Sequence, residues 1–222
     1  AYKISSFETN HFPLIEKVIK THKPIIVSVG MCNLEEIQNL VKLFNKKNHK
    51  KFILLKCTSS YPAPTDELNL LTISHLRNKF NCEVGFSDHS LGIGAALTSV
   101  SFGASVIEKH FTLDKNDGGV DSSFSMDPRD LKILSKELKN SWESIGRVNY
   151  GPTRSEKKSI KSKRSIYSHK FINKDQKITK EDLIIIRPAN GLNPKFYNKL
   201  IGSKAKININ KGIPLRLDMF KI

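Results

Sequence analysis

The chain has 222 residues, enough for one large domain or two modest ones, and 38% of them are hydrophobic, enough for a real core. No apolar run approaches the ~18–20 residues of a membrane span, the start Ala1-Tyr2-Lys3-Ile4 has no signal-peptide pattern, and three scattered cysteines, Cys32, Cys57 and Cys82, argue against a disulfide framework and fit a reducing cytoplasm. The net charge of +16 is unevenly placed: residues 1–145 hold 18 Lys+Arg against 16 Asp+Glu, residues 146–222 hold 19 against 5, and no nucleic-acid-binding motif accompanies the basic third.

The predicted elements alternate. Strand-like runs cover Tyr2–Ser5, Pro24–Val29, Phe52–Cys57, Cys82–Phe86 and Val106–Phe111. Helix-like runs cover Phe12–Thr21, Leu34–Lys46, Asp66–Phe80, Gly92–Phe102 and Pro128–Ile145. Leu34, Ile37, Val41 and Phe44 recur at helical spacing, and Asn33 with Glu36 three residues on forms a capping box. Asp127-Pro128 opens the last helix, which carries Leu131, Leu134, Leu138 and Trp142 on one face.

Repeated β-then-α units predict a parallel sheet with right-handed crossovers. The strand ends carry Lys3, Ser28, Lys56, Ser87 and His110, spaced by 23–31 residues, the length of one βα unit. Polar groups recurring there suit a (β/α)8 barrel. Only five strands are read, so a closed barrel needs three more upstream of Ala1, and residues 1–146 are expected to be the C-terminal part of such a barrel. Residues 147–163 read as a basic, polar linker. Residues 164–222 read as a small, mostly β module with strands at Ser165–Tyr167, Leu183–Arg187, Ala205–Ile209 and Pro214–Arg216, separated by turn signals such as Asn190-Gly191.

Two runs carry the chemistry. Ser87-Asp88-His89 and Glu108-Lys109-His110 each end an apolar run, and histidines on successive strand ends can face one metal ion. An enzyme is the leading reading.

Three segments then make the reading specific. Gly85-Phe86-Ser87-Asp88-His89-Ser90, Ile107-Glu108-Lys109-His110-Phe111-Thr112 and Lys56-Cys57-Thr58-Ser59-Ser60-Tyr61-Pro62-Ala63-Pro64 resemble the sialic acid synthase family, the phosphoenolpyruvate-dependent nonulosonate synthases. Ile186-Arg187-Pro188-Ala189-Asn190-Gly191 resembles the antifreeze-like, or SAF, domain that follows the barrel in that family. Ser5-Ser6-Phe7-Glu8, Ser59 and Gly118-Gly119-Val120-Asp121-Ser122-Ser123-Phe124-Ser125 resemble the branch that makes pseudaminic acid, with the neuraminate and legionaminate branches as the alternatives.

The resemblance implies condensation of phosphoenolpyruvate with a 2,4-diacetamido-2,4,6-trideoxy hexose to a nine-carbon 2-keto sugar acid and phosphate. It implies a divalent cation on His89 and His110, Mn²⁺ first, with Mg²⁺ or Co²⁺ as alternatives. It assigns Lys3, Ser28, Ser59 and Ser87 to phosphoenolpyruvate, and Glu8, Tyr61, Asp121 and Arg187 to the sugar, with Glu8, His89 and His110 as the catalytic set. Ser6 is a weaker candidate in the same pocket. It further implies a domain-swapped homodimer in which Arg187 comes from the partner, and neither nucleic acid nor membrane as a partner. The competing reading of another class is a truncated, inactive barrel whose basic SAF module binds an anionic polymer or protein. A metal-dependent aldolase-type barrel is a third, which the SAF-like tail disfavours.

Overall fold

The computed structural model describes residues 1–221. It divides into two compact units, Ala1–Arg147 and Val148–Ile222.

The first unit is a five-stranded, all-parallel sheet in sequence order, β1 (Tyr2–Ile4), β2 (Ile25–Ser28), β3 (Phe52–Cys57), β4 (Glu83–Asp88) and β5 (Ile107–Lys109). Helices α1 (Phe12–Ile19), α2 (Leu34–Lys46), α3 (Leu71–Phe80) and α4 (Gly94–Ser101) connect the strands, and α5 (Pro128–Ile145) follows β5. The strands curl into part of a barrel with the helices outside.

Alternation along each strand separates the two faces. Ile4, Ile25, Val27, Phe52, Leu54, Val84 and Phe86 point outward and are buried with Ile15, Ile37, Leu40, Phe44, Ile73 and Leu76 from the helices. Phe44 stacks on Phe52 with centroids 4.5 Å apart. Fully burying each such side chain is worth about 1.5–3 kcal/mol, so this outer layer holds the unit together. The intervening residues face inward, including Lys3, Ser28, Cys57, Ser87 and Glu108. Lys56 departs from the strand-end pattern read in the sequence: it pairs in register with the outward Phe86 and lies on the helix side.

Local signals set the helix limits. The Asn33 side chain accepts a hydrogen bond from Glu36 N at 2.9 Å, while the Glu36 carboxylate accepts one from Asn33 N at 2.7 Å, starting α2. Asp127 accepts from Asp130 N at 2.8 Å, with Pro128 as the first residue of α5. The third helix starts at Leu71, five residues later than expected from Asp66, because Asn69 takes a left-handed conformation (φ 48°) that ends the short 3-10 turn Thr65–Glu67. On α5 only Leu134 is buried among the four apolar positions predicted to form its face; Leu131 and Trp142 are exposed. With Leu138, Leu131 lines an open cavity beside the edge strand β5.

The second unit opens with a 3-10 helix, Glu156–Ser162, inside the segment read as linker. It pairs β6 (Ser165–Ser168) with β7 (Leu183–Ile186), and after the short helix α6 (Tyr197–Leu200) it pairs β8 (Lys204–Ala205) with β9 (Phe220–Lys221), both antiparallel. The predicted strands Ala205–Ile209 and Pro214–Arg216 are reduced to β8 and single bridges, Ile172 to Ile209 and Tyr167 to Pro214. Ile166, Ile172, Ile178, Leu200, Leu215 and Phe220 form a core of its own.

Candidate active site

The inward face at the C-terminal ends of the strands gathers most of the polar residues singled out in the first unit. His89 directly follows β4 and His110 directly follows β5; their ring centroids are 5.1 Å apart, nearly edge to face. The two rings reach the same place because Ser87 and Glu108 are register partners, and a step of two residues along each strand returns to the same face.

Each imidazole has a polar partner facing Nδ1. His89 Nδ1 donates to the Thr58 carbonyl at 2.9 Å, and His110 Nδ1 lies 3.3 Å from Asp121 Oδ2. Engaging Nδ1 leaves Nε2 as the donor nitrogen of each ring, the arrangement by which outer partners orient metal-ligating histidines. The chemistry of these donors therefore fits a divalent cation, with two protein nitrogens and oxygens from water and substrate. Among the described residues no group of three His, Cys, Asp or Glu forms a closed cage.

The two histidines differ electrostatically. At His110, burial and the neighbouring His89 outweigh Asp121 and Glu108, so its pKa falls below the ordinary histidine value. At His89, burial acts in the same sense but is overcome by hydrogen bonding to Cys57 and Thr58 and by Asp88, so its pKa rises. Cys57 Sγ is 3.8 Å from His89 Nδ1 and 3.8 Å from Ser59 Oγ. Burial pushes the Cys57 thiol up, but its contacts with His89, Ser6 and Ser59 win and lower it.

Around the histidines lie hydroxyls and a charge pair. Ser87 Oγ donates to Glu108 Oε1 at 2.7 Å, and Lys3 Nζ sits 3.4 Å from the same oxygen. Among the described residues, Ser28 Oγ is buried with no hydrogen-bond partner. A buried hydroxyl without a partner is costly unless something else satisfies it, so Ser28 fits an inward-facing ligand site. Gly30 lets Ser6 and Ser59 approach: its N–H donates to Ser6 Oγ at 2.9 Å, and a Cβ there would stand 2.5 Å from Ser59 Oγ.

Aromatic rings wall the histidine side. Tyr61 is 4.3 Å from the His89 ring and 5.7 Å from that of His110, and Phe124 is 5.1 Å from His110. Tyr61, Asp121 and Phe124 all come from loops after strands.

Two further candidates have local settings of their own. Glu8 is exposed, and its carboxylate accepts from Ser5 N and Ser5 Oγ at 2.8 and 2.5 Å, closing the 3-10 turn Ser6–Glu8. Those bonds hold its carboxyl below the ordinary range. Arg187 is exposed just after β7 in the second unit. Conversely, Glu108 and the Thr58 carbonyl belong to the cluster without having been assigned roles, and Cys57 and Phe124 stand in it too. For Glu108 the signal is available: it lies two residues before His110 on a strand and must share its face.

A barrel-type parallel sheet with paired histidines at its strand ends, followed along the chain by a small β module, defines a class, and comparison with known proteins gives the family. Residues 1–150 match the NeuB family model and residues 163–221 the SAF domain model. The chain belongs to the NeuB family. It is 39% identical over 224 residues to a pseudaminic acid synthase of Campylobacter jejuni, covering 100% of this chain and 64% of that protein. It is 38% identical over 210 residues to an N,N'-diacetyllegionaminic acid synthase of the same species, covering 93% and 63%. Among solved structures it resembles an N-acetylneuraminic acid synthetase from Leptospira borgpetersenii, with TM-score 0.66 and 36% identity over 71% of this chain and 55% of that one. The chain thus spans slightly under two thirds of the length of these curated relatives. Among the described residues no helix is long and apolar enough to cross a membrane.

Proposed function

We propose that this chain carries the histidine-bearing part of the barrel and the SAF domain of a phosphoenolpyruvate-dependent nonulosonate synthase. The observation that carries the reading is the pair of inward imidazoles 5.1 Å apart, each with a polar partner facing Nδ1, on the same sheet face as the Ser28 hydroxyl and the Lys3 ammonium.

The reaction joins C3 of phosphoenolpyruvate to the aldehyde carbon of the open-chain sugar; water adds at C2, and phosphate leaves from C2 to reveal the ketone. Phosphate and carboxylate need cationic and hydroxyl donors, which Lys3, Ser28, Ser59 and Ser87 supply. A cation held by His89 and His110, Mn²⁺ in the first instance, would polarise the aldehyde oxygen as a Lewis acid. Tyr61 and Asp121 meet the sugar beside the histidines, and Glu8 is its partner at the rim of the first unit.

The substrate we favour is a 6-deoxy, diacetamido sugar. A deoxy carbon needs an apolar neighbour where a hydroxyl would need a partner. Phe124, packed on the His110 ring, supports that reading, with Phe7 as a further apolar group. The proposal includes a cytoplasmic setting, which the free cysteines suit, and a homodimer in which Arg187 serves the sugar end of the partner's site.

In the whole protein, condensation followed by phosphate release should vanish on chelation, return with Mn²⁺, and be lost in His89→Ala and His110→Ala. Full activity after exhaustive chelation would defeat the metal assignment. A preference for N-acetylmannosamine over the diacetamido sugar would defeat the substrate assignment.

A further inference from the structure

Between the inward residues of each motif stands one that points the other way. Asp88 separates Ser87 from His89, and Lys109 separates Glu108 from His110. Asp88 and Lys109 are register partners on β4 and β5. Their side chains meet on the helix side at 3.0 Å, with Asp88 fully buried and Lys109 5% exposed. Every strong donor and acceptor of the pair is used. Lys109 Nζ also donates to the carbonyls of Ser90 and Gly92 at 2.7 and 3.0 Å, and Asp88 Oδ1 accepts from Ser90 N and Ser90 Oγ at 2.8 and 2.6 Å.

A buried ion pair is poor evidence for stability, because desolvation cancels most of its attraction. Its geometry is more informative. The pair grips both strands at the residue immediately before each histidine and ties down the turn that leaves His89. A slip of β5 against β4, or a rotation of the Ser90–Gly92 turn, would break at least two of these bonds. We infer that Asp88 and Lys109 are positioning residues that set the mutual orientation of the His89 and His110 rings from the far side of the sheet.

The inference rests in part on the reading of the histidines as cation ligands, so the test separates the two. In the metal-free chain, the ring protons of His89 and His110 should show a nuclear Overhauser contact. Calorimetric titration with MnCl2 should give an affinity for the parent chain. Asp88→Asn and Lys109→Met should lose the ring contact and bind Mn²⁺ roughly 10–100-fold more weakly, as outer partners of metal ligands do. Leu40→Ala, a destabilised control in the outer layer, should keep both properties. Ser90→Ala removes one hydrogen bond to Asp88 and should weaken Mn²⁺ binding in the same direction, even where the two charge variants fail to fold. Ring contact and Mn²⁺ affinity equal to the parent in folded Asp88→Asn, or in Ser90→Ala where Asp88→Asn does not fold, overturn the inference. No Mn²⁺ binding by the parent overturns the cation reading alone, and the ring contact then decides the positioning role.

Discussion

Lys3 Nζ lies 3.4 Å from Glu108 Oε1, although Lys3 is on the first and Glu108 on the fifth strand of a five-stranded sheet, at its opposite edges. Two edges can share an ion pair only if the sheet curls enough to bring their inward side chains together. In an eight-stranded barrel, strands four apart face one another across the interior. The pair therefore measures the curvature directly, and it places an ammonium, a carboxylate and the Ser87 hydroxyl together beneath the histidines.

If Lys3 is the cation for an anionic substrate, Glu108 competes with that substrate for it. Lys3→Met should weaken phosphoenolpyruvate binding by roughly tenfold or more, the scale of one lost charge-assisted contact. Glu108→Gln should leave phosphoenolpyruvate affinity equal or higher while releasing the Ser87 hydroxyl. Calorimetry on the metal-loaded whole protein checks both. Weaker binding in Glu108→Gln than in Lys3→Met would reverse the roles.

Gly30 is required for space and not for backbone conformation. A Cβ would sit 2.5 Å from Ser59 Oγ, 2.9 Å from Ser6 Oγ and 3.2 Å from Cys57 Sγ. Three side chains would have to give way at once, and Ser6 is pinned by the Gly30 N–H. Gly30→Ala should cost about 1–3 kcal/mol in urea unfolding, as overpacking does, and should weaken phosphoenolpyruvate binding through Ser59. An unchanged unfolding midpoint would show that the hydroxyls rotate away freely.

The second unit contains an acid-sensitive carboxylate. Burial pushes the Asp182 pKa up, but Thr179 N–H at 2.7 Å, the Thr179 hydroxyl at 2.9 Å and the Lys170 ammonium at 3.4 Å outweigh it and bring it below the ordinary aspartate value. A lowered folded pKa contributes stability above the unfolded pKa, and this is lost as pH falls through the folded value. The thermal midpoint of the second unit should therefore drop on acidification below about pH 4. Asp182→Asn should remove that part of the dependence and cost about 1–3 kcal/mol at neutral pH, since Thr179 loses a charged acceptor. Parallel pH profiles for parent and variant would refute the assignment.

The core of the second unit is separate enough to test alone. A chain of residues 148–222 should unfold cooperatively, and Ile172→Ala should destabilise it by about 2–5 kcal/mol, the range for deleting a fully buried branched side chain. A non-cooperative melt would show that the unit needs more of the protein.

Subunit mixing tests the oligomer. Arg187→Ala and His89→Ala whole proteins, each impaired alone, should recover partial activity after subunit exchange if Arg187 serves the partner's site. No recovery under demonstrated exchange would assign Arg187 to its own chain or to no site.

Where the sequence carries redundant local signals, the elements are legible to the residue. The limits of α2 and β3 are read directly, one from a capping box and a helical period, the other from an apolar run broken by Thr58-Ser59-Ser60. The start of α3 is not, because the left-handed Asn69 is one of many permissible turn conformers for that residue. The histidine pair stands out because it ends two consecutive runs. The carbonyl of Thr58 cannot be read from residue types, since it is backbone. The packing of Phe124 on the His110 ring is a tertiary contact that emerges only once the chain brings the two together. Glu8 has the right residue type, yet local capping at Ser5 claims its carboxylate in this structure.

The strict inward-outward alternation of β4 and β5 also limits how this protein can evolve. Inserting or deleting one residue ahead of Ser87 would turn His89 toward the helices and Asp88 into the cavity, losing the paired imidazoles and parting Lys109 from its buried carboxylate in one event. Indels are therefore closed to these strands. The segments that supply Tyr61, Asp121 and Phe124 lie beyond the strand ends, where length can change without altering which way the histidines face. New sugar preferences are accessible through those segments, while the strand motifs stay fixed in every descendant that keeps the chemistry.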